Sequence, residues 1–215
     1  MPKLNYILPL ITLLFISCEN PKSSTEQTLT FIDTAKSFTK EIPIFDDGKN
    51  DLFYILAKNK QKQLGLDSIE NGFDNLQIRV WYEFSRVLER RLVIITNKDT
   101  AWMATVYNMK VNGNGDNETI ISKEIIQMTP KSGWQNFVKK LLDLKIVTLP
   151  SMNNIPDYEG ELGKDGKTFN VEIASKNQYR FYSYWQPHDY QNKFWQAKNM
   201  AEILDLFKTE LNVEN

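Results

Sequence analysis

Cysteine and histidine are almost absent from this chain, whose 215 residues include one of each, Cys18 and His188. A single cysteine excludes an internal disulfide bond. A zinc site needs several ligands, and His188 has neither a second histidine nor a further cysteine to join it. We therefore interpret the segment Pro187-His188-Asp189 as an exposed loop.

The motifs of several common enzyme classes are also missing. The sequence contains no GxGxxG, GxxxxGK[ST], HExxH or GxSxG, which are the patterns of dinucleotide, phosphate-loop, zinc-protease and α/β-hydrolase sites. We therefore predict no cofactor and no metal, and we favour a non-enzymatic protein.

An excess of charge of either sign is lacking as well. The chain has 26 basic and 27 acidic residues and a formal net charge of −1. Because no Lys/Arg cluster is dense, we expect no nucleic-acid partner. Hydrophobic residues make up 41% of the chain and aromatic residues 12%, which is enough for a globular core.

The amino terminus has the three parts of an export signal. Lys3 provides a positive start, residues 7–16 are almost wholly apolar, and Ser17-Cys18 closes the segment. The apolar run is too short for a membrane-spanning helix, which needs about 20 residues. A run of this length is typical of a signal peptide.

The end of this segment resembles the lipobox of bacterial lipoproteins. Ser17 is the small residue before the invariant cysteine, and Cys18 is that cysteine; Phe15 departs from the usual leucine. The resemblance implies cleavage before Cys18, lipid attachment to its sulfur, and anchoring in a bacterial membrane. We expect the outer membrane, with the protein facing the periplasm or the surface.

The lipobox divides the chain into three parts. Residues 1–17 are the predicted signal peptide, residues 18–28 are the lipidated cysteine and a polar tether, and residues 29–215 are a single domain. The tether is rich in Ser, Thr, Glu, Gln and Asn, a composition typical of flexible linkers.

The first half of the domain predicts one helix and four strands. Asn50 or Asp51 is expected to cap a helix that reaches Leu64, with a buried side formed by Leu52, Phe53, Ile55 and Leu56. Residues 76–84 alternate between apolar and polar side chains, which predicts a half-buried strand containing Ile78 and Val80. Further strands are predicted at 92–96, 101–109 and 120–128, forming an antiparallel meander.

The second half predicts a hairpin between two helices. Ser132 and Gln135 have the spacing of a capping box before a helix, and residues 193–211 have the apolar spacing of an amphipathic helix. The hairpin pairs residues 169–174 with residues 179–185. The predicted fold class is therefore α+β: an antiparallel meander of about four strands plus a carboxyl-terminal hairpin, packed with two to three amphipathic helices.

Two acidic segments are candidate sites. The first, Asn112 to Glu118, places oxygen-bearing side chains at alternate positions but lacks the Gly and Glu of an EF-hand, so we interpret it as a hairpin turn. The second contains Asp157, Glu159, Glu161 and Asp165. Paired carboxylates can hydrolyse glycosidic bonds, although a solvated loop is the favoured interpretation.

Three tripeptides resemble the O-glycosylation acceptor motif of Bacteroidota. They place candidate acceptor hydroxyls at Thr34, Ser68 and Thr100. Asp, Ser and Thr also favour turns and helix caps, so a purely local role stays open for each.

The hairpin near the carboxyl end provides the ligand-binding candidates. A three-residue turn at 176–178 would place Glu172, Arg180, Tyr182 and Tyr184 on one polar face. A turn of two or four residues would mix the two faces, because a one-residue slip moves every side chain to the other face. Tyrosines beside fixed polar groups suit a sugar or a peptide. The alternative is that this row is the solvated outer face of the sheet or packs under a helix.

The domain resembles the single-domain envelope lipoproteins of Bacteroidota in its signal, tether and compact Tyr- and Trp-rich α+β part. This resemblance implies a membrane-anchored protein, and we expect it to bind a partner protein or a polar ligand. The alternative is an envelope hydrolase acting on glycans through loop carboxylates. Two convergent carboxylates in a cleft would favour the hydrolase, and a flat or aromatic surface would favour binding.

Overall fold

The computed structural model describes residues 37–44, 48, 50–84, 88–113, 115–158 and 166–214. The predicted signal segment and tether, with Cys18 and Thr34, lie outside these ranges. Seven strands form one sheet: β1 (Thr39–Glu41), β2 (Leu76–Phe84), β3 (Glu89–Lys98), β4 (Ala101–Asn112), β5 (Thr119–Met128), β6 (Lys167–Ser175) and β7 (Gln178–Trp185).

The sheet has the strand order β1-β7-β6-β2-β3-β4-β5. All neighbours are antiparallel except β1 and β7, which are parallel. The described helices are α1 (Leu52–Leu64), α2 (Trp134–Asp143), the single turn α3 (Pro187–Tyr190) and α4 (Trp195–Leu211). The predicted α+β class is therefore confirmed.

The finer arrangement differs from the prediction. The carboxyl-terminal hairpin β6–β7 is not a separate unit, because β6 pairs with β2 along Leu76–Phe84. The mixed sheet therefore continues from the hairpin through β2 to β5, and β2 is a central strand. The expectation that β2 is half-buried is wrong, since Leu76 to Glu83 are buried on both faces, Ile78 and Val80 among them.

The two faces of the sheet have different compositions. The core face packs against α2, α4 and residues 144–158, and it carries Ile78, Val80, Val93, Ile95, Val106, Phe169, Val171 and Ile173. The opposite face, here called the α1 face, lies under α1. It mixes Trp81, Leu92, Ile94, Tyr179 and Phe181 with the buried polar residues Gln77, Arg79, Glu83, Asn170 and Glu172.

Helix α1 begins as predicted and buries a different side. The Asp51 side chain caps it by accepting a hydrogen bond from the Phe53 N–H at 2.7 Å. Its buried residues are Tyr54, Ala57, Lys60, Gln61 and Leu64, whereas Leu52 and Ile55 are each 40% exposed. The predicted buried side is wrong because the helix turns a mixed stripe inward: Tyr54, Ala57 and Leu64 join a hydrophobic cluster. The buried Lys60 in the same stripe finds carboxylate partners beneath the helix.

The capping box predicted at Ser132 and Gln135 is not formed. Helix α2 begins at Trp134 after Gly133, which has φ of 80° and makes no side-chain cap bond. The Ser132 N–H instead donates to the Glu210 carboxylate at 2.7 Å. The donor that the capping box would have paired with Gln135, the Ser132 N–H, therefore bonds to a tertiary partner at the end of α4.

The final helix follows the predicted pattern. Met200, Ile203, Leu204, Phe207 and Leu211 are buried along α4. They belong to the main hydrophobic core with Phe137, Val138 and Leu141 of α2. Apolar spacing was sufficient here because the apolar stripe of α4 packs into the main hydrophobic core.

Candidate interaction surface

The predicted register of the β6–β7 hairpin is wrong by one residue. The turn has two residues, Lys176 and Asn177, and Ser175 pairs with Gln178. The pairs that follow are Ile173 with Arg180, Val171 with Tyr182, and Phe169 with Tyr184. This slip separates Glu172 from the three β7 residues that were expected beside it.

Arg180, Tyr182 and Tyr184 lie on the core face, under the chain that follows α2. The Tyr182 hydroxyl donates to the Ile146 carbonyl at 2.6 Å, and the Tyr184 hydroxyl donates to the Pro150 carbonyl at 2.7 Å. Both tyrosines are buried, and this burial raises the pKa of each phenol. They therefore anchor an irregular segment and present no surface to a ligand.

Arg180 has the same role two residues before Tyr182. Its guanidinium donates to the carbonyls of Val147 and Leu149, the second at 3.0 Å, and pairs with the Glu41 carboxylate at 2.6 Å. It links β7, β1 and the segment after α2. The polar row predicted as a ligand site is thus not assembled.

Glu172 lies on the α1 face and has no exposed surface. Its carboxylate accepts hydrogen bonds from the Trp81 indole at 2.7 Å and the Tyr179 hydroxyl at 3.0 Å, and it pairs with the Lys58 ammonium at 2.5 Å. Burial, together with the negative charge of Glu172, raises the pKa of Tyr179. Lys58 also lies 3.3 Å from Glu70, so the anchoring cation is shared.

A second charged network also lies between α1 and the sheet. Lys60 is buried and contacts Glu83 at 3.2 Å and Glu118 at 2.9 Å. Arg90 pairs with the same two carboxylates, at 2.9 Å to Glu83. Burial raises the pKa of Glu83, although Lys60 and Arg90 act in the opposite direction.

The network contains two convergent carboxylates from different segments, Glu83 and Glu118. Each is bound by two cations, so the charges of the four groups cancel. Their oxygens are turned toward Lys60 and Arg90 inside the protein, where they hold α1 to the sheet. We interpret this network as structural rather than catalytic.

The remaining predicted positions are dispersed. Ser68 is exposed between α1 and β2, and Thr100 is exposed in the turn between β3 and β4, so both hydroxyls are accessible and glycosylation stays a prediction. His188 lies in α3, 3.1 Å from Asp205, and not in the predicted loop. The ranges that the structure covers hold no cluster of potential metal ligands.

The acidic loop of the hydrolase alternative is largely outside the described residues. Asp157 is exposed, whereas Glu159, Glu161 and Asp165 are not described. In the other acidic segment, Glu118 belongs to the charged network with Lys60 and Arg90. The hydrolase alternative therefore stays a prediction.

Strand β5 forms an edge of the sheet and is the most exposed of the long strands. Its ten residues are mostly exposed, with Ile121 at 65% and Ile125 at 50%. No described strand pairs with its outer side. Between Lys110 and Val111 of β4 the pairing register with β5 shifts, which makes a β-bulge near the amino end of β5.

The β3–β4 hairpin determines which backbone groups of β5 face away from the sheet. Asp99 and Thr100 form a two-residue turn that closes on the pair Lys98–Ala101, and such a closing pair is hydrogen-bonded on both sides. The odd-numbered residues of β4 after Ala101 therefore bond to β3, and its even-numbered residues bond to β5. By the same alternation, the backbone groups of Lys123, Ile125 and Gln127 point away from the sheet.

A polar groove of about 340 Å³ adjoins this edge. It is lined by Glu89, Arg90, Arg91, Asn108, Met109, Lys110, Ser122, Lys123 and Glu124. Arg91 donates to the Asn108 amide oxygen at 2.8 Å, and the Asn108 amide donates to Glu124 at 3.3 Å. A polar ligand would have to replace these bonds, so we regard the backbone edge as the stronger candidate.

Sequence reasoning missed Lys123, Ile125 and Gln127 as candidate interaction residues. The segment was correctly predicted as a strand, but its place at the edge was not predicted. The available signal was the polar Ser122-Lys123-Glu124 inside an apolar strand, because charged residues are typical of strands that lie at an edge.

Comparison with known proteins gives no relative for this chain. No protein-family model, no curated protein and no solved structure matches it. In the part of the chain that is described, no helix is both long and apolar enough to cross a membrane.

Proposed function

We propose that this chain is a lipid-anchored bacterial envelope protein that binds another polypeptide along β5 and has no catalytic role. The observation that carries the proposal is the long β5 edge, which is exposed and has backbone groups directed outward at Lys123, Ile125 and Gln127. An extended segment can add to such an edge by main-chain hydrogen bonds.

The opposite edge of the sheet offers a much shorter strand, which supports β5 as the binding edge. Strand β1 pairs with the start of β7. Further along β7, the N–H groups of Ser183 and Trp185 donate to the Ser151 hydroxyl at 3.4 Å and the Met152 sulfur at 3.1 Å. These two N–H groups are therefore satisfied within the chain, and the described outer strand on that side, β1, has three residues against the ten of β5.

The position of β1 also favours presentation of β5 away from the membrane. The segment from the proposed lipid site, Cys18, joins the described fold at β1, on the edge opposite β5. Six strand spacings of about 4.8 Å separate the two edges, or roughly 29 Å. An anchor attached on the β1 side therefore leaves the β5 edge free to meet a partner.

Site-specific photocrosslinking in the native envelope tests this proposal. A photoreactive amino acid replaces Ile125, and the matched control replaces Trp195, which is 52% exposed on α4. We expect a polypeptide adduct of defined mass at position 125 and none at position 195. The absence of any polypeptide adduct at 125, or equal adducts at both positions, contradicts binding along β5.

A further inference from the structure

We propose that the polypeptide bound along β5 is a second copy of this chain, paired antiparallel about a twofold axis at Ile125. This inference rests on the proposed function and names its partner. It follows from where β5 is free to pair, which residues meet in each register, and which backbone groups point outward.

The part of β5 that is available for pairing has Ile125 at its centre. Its amino end is bounded by the bulge opposite Lys110 and Val111 and by Gln63, whose side-chain oxygen accepts from the Ile120 N–H at 2.8 Å. Its carboxyl end is the last residue of the strand, Met128. The stretch from Ser122 to Met128 therefore remains, and Ile125 is its midpoint.

Charge disfavours two neighbouring registers and permits this one. Antiparallel strands related by a twofold axis place one residue opposite itself, and every pair is symmetric about that residue. Centring the axis on Lys123 or Glu124 opposes two like charges. Centring it on Ile125 opposes Ile125 to Ile125, Lys123 to Gln127 and Glu124 to Ile126, with no like charges in any pair.

The backbone groups agree with this register. Lys123, Ile125 and Gln127 have their N–H and C=O groups directed outward in both copies, and these residues face one another when Ile125 lies on the axis. Each such pair exchanges two hydrogen bonds. The two sheets then join into one continuous sheet, which satisfies the free edge of both copies.

The side chains near the axis suit burial against a second copy. Ile125 lies opposite the partly buried Tyr107 of β4, and pairing would cover its exposed half. The Lys123 ammonium is turned toward the Leu64 carbonyl at the end of α1, 3.5 Å away. This charge therefore stands on the α1 face of the sheet and does not occupy the space beside the edge.

Cysteine crosslinking of the full-length protein tests the register. Since Cys18 is the only cysteine and is acylated under the proposed function, Ile125→Cys introduces a single free thiol. Residues of a hydrogen-bonded antiparallel pair have Cα atoms about 5.5 Å apart, which is within disulfide range. Mild oxidation of Ile125→Cys in detergent should therefore give a disulfide-linked dimer.

Two further variants distinguish this register from random collision. Lys123→Cys alone and Gln127→Cys alone should crosslink poorly, whereas a mixture of the two should form a mixed dimer. Equal crosslinking of Lys123→Cys with itself overturns the register. If Ile125→Cys gives no disulfide-linked dimer and the protein sediments as a monomer at micromolar concentration, the proposal that the partner is a second copy is wrong.

A charge substitution provides a second measurement that needs no oxidation. Ile125→Lys places two like charges on the axis and should weaken dimerisation at least tenfold in sedimentation equilibrium. Ile121→Lys is the matched control, because it is the same change on β5 but lies outside the paired stretch. This variant should change the dimer dissociation constant less than threefold. Equal effects of both variants, with unchanged circular dichroism, contradict the proposal.

The photocrosslinking result separates the two levels of inference. An adduct at position 125 with the mass of two copies supports both proposals. An adduct with a different polypeptide leaves the proposed function standing and overturns the second copy. The absence of any polypeptide adduct overturns both.

Discussion

Glu172 is a carboxylate without exposed surface in the middle of a seven-stranded sheet. Burying such a charge is costly unless hydrogen bonds and a counter-charge replace water. Trp81, Tyr179 and Lys58 supply these interactions from β2, β7 and α1. The group therefore connects two strands and a helix, and its removal should affect all three.

Glu172→Gln should lower the free energy of unfolding by about 3 kcal/mol, because breaking a buried ion pair leaves its partners incompletely compensated. Urea denaturation measures the change. Lys40→Met is the matched control, since Lys40 pairs with Glu70 at 2.8 Å but its side chain is 40% exposed; the expected loss is below about 1 kcal/mol. Equal losses in both variants would show that the buried network is not cooperative.

Glu210 controls a pH-dependent contact between α4 and α2. The Ser132 N–H is the main cause of its lowered pKa, and Lys140 also contributes. A carboxyl whose folded-state pKa lies below its unfolded value stabilises the fold above that unfolded value, and the stabilisation is lost as pH falls through the folded value. Glu210→Gln should therefore lower the free energy of unfolding by about 1 kcal/mol at pH 7 and by less at pH 3.

Urea denaturation of wild type and Glu210→Gln between pH 3 and pH 7 measures this difference. Glu202→Gln is the control on the same helix, because its side chain is exposed and pairs with Lys198 at 3.8 Å. A constant difference between Glu210→Gln and wild type across this range would contradict the assignment of the contact to the ionised carboxylate.

At the scale of elements, α4 contributes most of the helical part of the main core. Ile203→Ala or Phe207→Ala should lower the free energy of unfolding by about 2–5 kcal/mol, because each change removes buried apolar surface and leaves a cavity. Thermal and urea unfolding measure the loss. Lys208→Ala, on the exposed side of α4, should change stability by less than about 0.5 kcal/mol. A similarly small effect at Ile203 would place that residue on the surface.

The β3–β4 turn offers a stabilising substitution. Asp99 and Thr100 both have positive φ, at 49° and 71°, a conformation that Asn and Gly adopt more readily than Asp and Thr. Asp99→Asn with Thr100→Gly should raise the free energy of unfolding by about 1 kcal/mol. Thr119→Gly is the control within a strand and should be destabilising. Loss of stability in the turn variant would contradict the assigned turn.

The local elements were largely predictable because their determinants are short-range. The Asp51 cap, the strand at Leu76–Phe84 and the spacing of Ile203 and Phe207 each depend on neighbouring residues and on one apolar surface. Predictions failed where a distant partner decided the outcome. Glu210 accepts from the Ser132 N–H, which the capping box would have paired with Gln135, and Lys60 turned inward because Glu83 and Glu118 lie beneath it.

At the scale of the whole molecule, the anchor is a prediction that can be tested directly. Cys18→Ala removes the proposed lipid site, so the variant should no longer partition into membranes or detergent, because acyl chains supply about 0.8 kcal/mol per buried CH₂. Labelling with a clickable fatty acid measures the modification, and Ser17→Ala is the control because a small residue is retained before the cysteine. A wild-type protein that takes up no label contradicts the lipoprotein proposal.

The arrangement of the sheet gives its two edges different roles. The β1 side joins the segment that leads to the proposed anchor, and its outer strand has three residues. The β5 side presents ten residues with no described strand beyond them. The proposed binding edge lies opposite the proposed anchor because of the strand order, and strand order is not encoded in the composition of any single strand.

The sequence by itself determined the α+β class, the existence and approximate bounds of most elements, and the expectation of a lipid anchor. The alternation of side chains in strands, helix caps and the apolar spacing of helices each depend on a few neighbouring residues, so they can be recognised before the fold is known. The tertiary structure decided the β6–β7 register, which was predicted by assuming one polar and one apolar face. That assumption failed because both faces of the hairpin are covered. On the core face, carbonyls after α2 accept from the Tyr182 and Tyr184 hydroxyls. On the α1 face, the partners of Glu172 lie on β2, β7 and α1. Whether a polar side chain lies in water or in a core depends on partners distant in sequence, and these meet only when the sheet is assembled.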